Sequence, residues 1–437
     1  MIRTALRDVM AARRRIIGVG MPVLVSRATV ALWGILVILI IRVLPEEMYA
    51  VYAVARSLEM LGVLFGGGFI QNALLKLVAE GDTKRESQFA NAGIAVSLVL
   101  SAATGVLLIA GEGLVGSFYS SLDFSGIMIY LAGVVLSGTV AGLPRIIMLS
   151  RRRTTAVMLS DLLQFTVRGG IVGAMILNGT LRTPQQIFLA TIIANIAAFF
   201  LSLFLARGHL AFSAGITKGS VSEVMRYAVV MLGTSLANII YSRTDILMLG
   251  KLAPLDVAAY GACRSLSTPV IHVNAAANMI LLPLLSQMWR QGQRSAVRSR
   301  TWGGILLAEA MVFPVALVLV LFPGPILDFV FAGKYTSGWP ILMVLGALTL
   351  IRPFGSIFST MATAAGKPQY SLYCILWSAT LNVGLNFLLI PSMGGMGAAI
   401  ATFVAVIAGA AWVTVISSRF VGWAADEAVR DGPEGSP

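Results

Sequence analysis

The chain has 437 residues, 57% hydrophobic and 12% charged, and 32 Lys and Arg against 19 Asp and Glu give it a formal charge of +13. A water-soluble domain is about half apolar and about a quarter charged, so this composition excludes a soluble fold and leaves no room for a sizeable soluble domain. The positive charges fall in the gaps between apolar runs, where they orient a membrane protein, and nucleic acid is not expected as a partner.

In chain order, apolar runs lie near 21–43, 49–78, 90–111, 126–149, 156–178 and 185–206, then near 226–250, 258–287, 302–322, 338–362, 370–391 and 395–418. A bilayer-spanning helix needs about 20 such residues. The expected fold is therefore an all-α integral membrane protein of about twelve transmembrane helices in two six-helix bundles, residues 1–210 and 211–425, with a disordered polar tail at 426–437. The first run is too long for a signal-peptide core and has no clear small-residue cleavage site, so it reads as the first helix. Lys and Arg crowd alternate loops. One set includes Arg13 to Arg15, Lys84, Arg85, Arg145, Arg151 to Arg153 and the cluster from Arg290 to Arg300, whereas the opposite set has little beyond Arg42, Arg182, Lys251 and Lys334. The positive-inside rule then places both termini in the cytoplasm.

The halves repeat. Ala50-Val-Tyr52-Ala-Val-Ala-Arg56-Ser57-Leu58 in the second run matches Ala258-Ala-Tyr260-Gly-Ala-Cys-Arg264-Ser265-Leu266 in the eighth. With six helices per half, both copies enter the membrane from the same side, a parallel pseudo-two-fold repeat of the kind that places a substrate site between halves. Gly66-Gly67-Gly68 lacks the Lys and hydroxyl of a phosphate loop and reads as a flexible or closely packed break in the second helix.

A charge at the centre of a span costs at least about 2.5 kcal/mol, so it faces a cavity or a partner. This chain keeps Arg27, Arg56, Glu59, Asp161, Arg168, Arg243, Asp245, Arg264, Glu309 and Arg352 in its apolar runs. Arg56 and Glu59, three apart, share a helix face and are close enough to pair. Arg264 has no carboxylate on its own face within a turn; that face carries Tyr260, Ser267, Asn274 and Asn278. Ser235, Asn238, Ser242 and Asp245 form a second polar stripe, with Arg243 off it, and Thr349, Arg352, Ser356, Ser359 and Thr363 form a third. Unpaired arginines facing one cavity suit an anionic headgroup such as a diphosphate, because guanidinium holds phosphate oxygens in a bidentate fork. The other arrangement pairs these arginines with Glu59, Asp161, Asp245 and Glu309 across helices, purely as structure. The polar stripes make Arg352, Tyr260, Ser267 and Asn274 candidate substrate contacts.

His209 and His272 stand alone, Cys263 and Cys374 are far apart, and the sequence has no HExxH, GxSxG or P-loop, so neither catalysis, a metal nor a cofactor is expected.

Arg243-Thr244-Asp245-Ile-Leu-Met-Leu-Gly250, Val257 to Tyr260 with Arg264, Gly366-Lys367-Pro368, Asn382, Asn386, Leu389-Ile390-Pro391, and Gly394 to Thr402 together carry a family pattern. In these segments the chain resembles the polysaccharide transporters, or O-antigen flippases, of the multidrug, oligosaccharidyl-lipid and polysaccharide exporter superfamily. The resemblance implies an alternating-access exporter of V-shaped paired bundles in the bacterial inner membrane. Its substrate would be an undecaprenyl-diphosphate-linked sugar unit, and its partners membrane lipids and other polysaccharide-assembly membrane proteins. It also implies a cationic cavity, at matching positions Arg27, Arg56, Arg243 and Arg264, and a coupling carboxylate, for which Asp245 and Glu59 are the candidates. Rocking would hinge on the linker from Arg207 to Lys218. Two other readings stand beside this one: a drug or metabolite antiporter of the same superfamily, which calls for an acidic or aromatic cavity, and a membrane polysaccharide polymerase or ligase, which calls for a long external loop.

Overall fold

Residues 21–80, 83–207 and 215–430 are the ones described by the computed structural model; they are helical with short connections and contain no strand. The chain forms two compact units, Met1–Leu236 and Ala237–Pro437. The sequence reading divides it earlier, at 210. The difference arises because the start of the linking helix packs with the first unit: Arg85 lies 3.8 Å from Glu223, and the Lys76 ammonium sits 4.7 Å over the Tyr227 ring.

The first unit contains α1 (Met21–Val43), α2 (Glu46–Val63), α3 (Phe69–Glu80), α4 (Thr83–Ala110), a short α5 (Glu112–Phe118), α6 (Met128–Ser150), α7 (Thr154–Leu177), α8 (Pro184–Ala206) and the first part of α9 (Lys218–Leu252). α8 packs on both α6 and α7, α1 lies along α7, and α4 covers another face of α6. Lipid tails are as apolar as leucine, so packing and interhelical hydrogen bonds hold these helices together. Asn195 on α8 accepts from Gln164 of α7 at 2.6 Å and donates to Ser137 of α6 at 3.0 Å, and Ser202 donates to Ser160 at 2.9 Å. Arg145 holds Asp161 in a bidentate pair at 2.7 and 2.9 Å, so this arginine, counted from sequence among the orienting loop charges, is a tie between α6 and α7. α8 begins with a reciprocal cap between Thr183 and Gln186 and with Pro184 in its first turn.

The glycine run is a π-helical turn, Leu64–Gly68, joining α2 to α3. Gly67 has φ of +114°, and a Cβ there would lie 3.0 Å from the Ser97 Cβ, so this is the closely packed form of the expected break. Thr139 of α6 donates to the Gly66 carbonyl at 3.0 Å, satisfying a backbone group that the break exposes.

The second unit holds the rest of α9, then α10 (Val257–Ser267), α11 (Val270–Arg290), α12 (Arg294–Leu321), a short α13 (Pro323–Phe331), α14 (Trp339–Thr349), α15 (Arg352–Ala364) and α16 (Pro368–Arg430). Leu285, Val297, Ile357, Phe358 and Val413 form a core joining α11, α12, α15 and α16. At about 1.5 Å per residue a straight α16 would run about three times the hydrocarbon thickness of a bilayer. It doubles back instead. Cys374 Sγ contacts the Gly409 carbonyl at 3.2 Å, and Asn382 Nδ2 donates to Thr402 at 3.2 Å, so its two arms run antiparallel. The break falls at Gly394 (φ +53°, ψ −132°), between the expected runs 370–391 and 395–418, and Asp256 pins it by accepting from the Gly395 N–H at 2.7 Å.

Nine helical segments among the described residues are long and apolar enough to cross a membrane, against about twelve expected. The difference has three sources. α7, which carries Asp161, Gln164 and Arg168, is not one of the nine; α1 contributes only Ala31–Val43; and Pro368–Arg419 counts once although it doubles back. Side chains such as Leu107, Phe200 and Leu306 present bare apolar faces on α4, α8 and α12, the surface that lipid tails cover. At the C-terminus helix continues to Arg430 where the sequence reading expects disorder from Asp426; Ala424, Ala425 and Ala428 favour it. Residues 431–437 lie outside the described residues, as do 208–214 in the expected hinge and the N-terminal arginines.

Candidate functional site

In the second unit α9, α10 and both arms of α16 converge on one carboxylate. Asp245 is fully buried. Its Oδ2 accepts from Tyr260 Oη at 2.7 Å, Arg264 Nη1 at 2.8 Å and Thr402 Oγ1 at 3.0 Å, and its Oδ1 accepts from Asn386 Nδ2 at 3.1 Å. Asn386 also donates to Asn382 at 3.1 Å, and Arg264 Nη2 donates to the Ser242 carbonyl at 2.5 Å. A buried carboxylate is tolerable only when its charge is balanced and its lone pairs are filled, and four donors with one guanidinium do both.

This corrects one arm of the sequence reading: Arg264 is not an unpaired cation. Its carboxylate comes from a neighbouring helix, beyond the reach of any same-face argument. The pair remains partly open, with 21% of the Arg264 side chain exposed and 1% of Asp245.

Among the described residues Arg352 forms no hydrogen bond or ion pair. It lies within electrostatic reach of Tyr241, Asp245 and Arg264. Arg352 and Asn274 both border a cavity of about 310 Å³. Ser267 turns back to donate to the Arg264 carbonyl at 3.0 Å on its own helix. Arg243 is half-buried and has partners of its own.

In the first unit Arg56 pairs with Glu59 on the same face of α2, as the spacing suggests. Glu59 is buried and the Arg56 side chain is one-third exposed. Arg168 of α7 stacks 3.4 Å from the Trp33 ring of α1, with its Nε buried and without a hydrogen-bond acceptor, close enough to Arg56 for their charges to repel. Sequence reasoning marks Arg168 as an intramembrane charge but leaves it out of the site. The side chain of Arg27 lies outside the described residues.

With Tyr52 and Tyr260 in register, Arg56 and Arg264 are repeat mates whose carboxylates have traded places. Glu59 stands where the second half has Ser267, and Asp245 stands where the first half has Val37. At the repeated arginine each half thus keeps a guanidinium–carboxylate pair, within α2 in the first half and between α9 and α10 in the second. Asn382, Asn386 and Thr402 enter the sequence reading only as family markers; the i, i+4 spacing of the two asparagines is the signal that they share a face.

The family model described as Polysaccharide biosynthesis protein matches residues 18–289, and the MatE model matches residues 231–388. The chain is similar to the probable low-salt glycan biosynthesis flippase Agl15 of Haloferax volcanii, 24% identical over 42% of this chain and 38% of that protein. It spans between 28% and 44% of the length of the first curated relatives it matches. Two solved structures share the fold. The lipid II flippase MurJ in its inward closed conformation gives a TM-score of 0.74 at 12% identity, covering 96% of this chain and 94% of that one. An inward-facing multidrug resistance MATE family transporter gives 0.70 at 14% identity, covering 90% and 94%.

Proposed function

The chain belongs to the polysaccharide biosynthesis protein family, and from that premise we propose that it flips an undecaprenyl-diphosphate-linked glycan across the bacterial cytoplasmic membrane by alternating access, for cell-surface polysaccharide assembly. The chain is a multi-pass membrane protein of the multidrug, oligosaccharidyl-lipid and polysaccharide exporter superfamily, and the proteins it is similar to include transporters and flippases.

The observation that carries the reading is a surplus of guanidinium over carboxylate within the spans. Arg56 and Arg264 each have one carboxylate in an ion pair, whereas Arg168 rests on an aromatic ring and Arg352 forms no ion pair among the described residues. Such a surplus favours an anionic diphosphate over a cationic drug. Arg56 in the first unit and Arg264 in the second are the guanidinium groups this reading offers to an anionic substrate, and Asp245 and Glu59 are the carboxylates available for coupling.

The antiporter reading has its own support in the MatE match over residues 231–388, in the fold shared with a multidrug resistance MATE family transporter and in curated relatives that are multidrug resistance proteins. Reconstitution separates the two. Proteoliposomes should translocate a polyprenyl-diphosphate oligosaccharide, and folded Arg264→Ala should lose at least about tenfold of that rate, the equivalent of roughly 1.4 kcal/mol. Full activity of Arg264→Ala, or export of cationic dyes without glycan movement, would overturn the proposal.

A further inference from the structure

The cavity of about 310 Å³ belongs wholly to the second unit. It is at the lower end of the roughly 300–1,000 Å³ typical of small-molecule pockets, which is room for one monosaccharide-sized group rather than a chain. Its walls come from α9, α11, α15 and α16, with Tyr241 and Ile271 supplying apolar surface between polar groups.

Three of those polar groups have bonding capacity that the protein does not use. Arg352, in the first turn of α15, borders the cavity without a hydrogen bond or ion pair among the described residues. Asn274 is 4% exposed, and its Oδ1 is buried without a donor. Asn278 gives its Nδ2 to Ser356 at 2.7 Å, but its Oδ1 is likewise buried without a donor. A guanidinium calls for an anionic acceptor, while the two amide oxygens call for O–H or N–H donors. Buried polar groups are ordinarily satisfied, so two orphaned amide oxygens facing the same cavity as a half-buried, unpaired guanidinium mark a place that a ligand completes.

The complementary ligand carries an anion and several hydroxyls on one compact frame. A neutral sugar fills the asparagine oxygens and leaves Arg352 without an anion. A phospholipid phosphodiester fills Arg352 but brings no O–H donor of its own, and the inorganic phosphate dianion brings one for two asparagines. A sugar bearing a carboxylate does both: its carboxylate accepts from Arg352, and its ring hydroxyls donate to Asn274 and Asn278.

We propose that this cavity is a subsite for a carboxylate-bearing monosaccharide, so that the glycan handled by this chain contains an acidic sugar. The inference rests on the glycan-transport reading but concerns a site that the diphosphate contacts, Arg56 and Arg264, do not use.

The test is equilibrium binding of free glucuronate, free glucose and inorganic phosphate to the purified full-length protein in detergent. The variants are Arg352→Gln and Ala275→Leu, the second of which fills the cavity without removing a polar group. Glucuronate should bind saturably, at least tenfold more tightly than glucose, and both variants should weaken it at least tenfold while keeping the natural melting temperature. Should Arg352→Gln fail to fold, Ala275→Leu alone carries the comparison. Equal binding of glucose and glucuronate, binding of phosphate alone, no binding to the natural protein, or undiminished glucuronate binding in Ala275→Leu overturns the subsite. No transport step enters this measurement, so failure to translocate a lipid-linked glycan counts against the flippase reading and not against the cavity.

Discussion

Replacing Asp245 with Asn removes a charge and almost no volume, so its effect isolates the buried ion pair. Three donors converge on Oδ2 and one on Oδ1. An asparagine that keeps its oxygen towards Tyr260, Arg264 and Thr402 must turn its NH₂ against the NH₂ of Asn386. Asn386 can rotate its amide to answer with Oδ1, which now has no donor, but it then gives up its bond to Asn382. Arg264 meanwhile stays largely buried without a counter-charge. Removing one partner of a buried pair costs about 3–5 kcal/mol, and because asparagine retains an acceptor the lower end, about 3 kcal/mol, is expected. For a cooperative unit of about 200 residues that lowers Tm by roughly 6–12 °C. Both cysteines lie in this unit, Cys263 buried beside Arg264 and Cys374 half-buried on α16. A thiol-reactive dye followed during heating therefore reports its opening. Adding Arg264→Gln to Asp245→Asn should recover more than half of the loss, since the stranded charge is gone. A single variant that melts within about 2 °C of the natural protein would show that the pair does not stabilise this unit.

Two further perturbations probe other parts of the chain. Gly67→Ala places a Cβ against Ser97 at a φ of +114°, and it should destabilise the first unit by about 1–3 kcal/mol, measured as a lower midpoint in thermal melts. Tyr119, outside the spans, has its phenol pushed up to about 12 by burial, whereas an unfolded tyrosine titrates near 10. Above about pH 10 the unfolded chain loses this proton first, so stability should fall from about pH 10 to 12, and Tyr119→Phe should flatten that part of the profile.

The apolar runs make the helices legible because a span's length and composition follow directly from bilayer thickness. The turn of α16 is legible too, since Pro391 and Gly394 to Gly397 interrupt an apolar run. The short α5 and α13 are too brief to leave a periodic signal, and the first turns of α9 look like linker although they pack with the first unit. In the site, Arg56 and Glu59 are readable as a pair because they are three residues apart on one helix. Arg264 and Asp245 are not, because the contact depends on how α9 and α10 pack. The same limit hid Asn386 and Thr402, which reach Asp245 from about 140 and 157 residues away. Arg352 and Asn274 are visible as members of polar stripes; that they border one cavity requires the packing of α11 against α15.

The most direct test of the central claim places one lipid-linked oligosaccharide, carried on polyprenyl diphosphate, in the inner leaflet of sealed proteoliposomes and follows its arrival in the outer leaflet by an impermeant glycan-modifying enzyme. Arrival should depend on the protein, be lost in folded Arg264→Ala and not be competed by cationic drugs. Arrival at the rate of protein-free liposomes, together with drug export from the same vesicles, would contradict the claim.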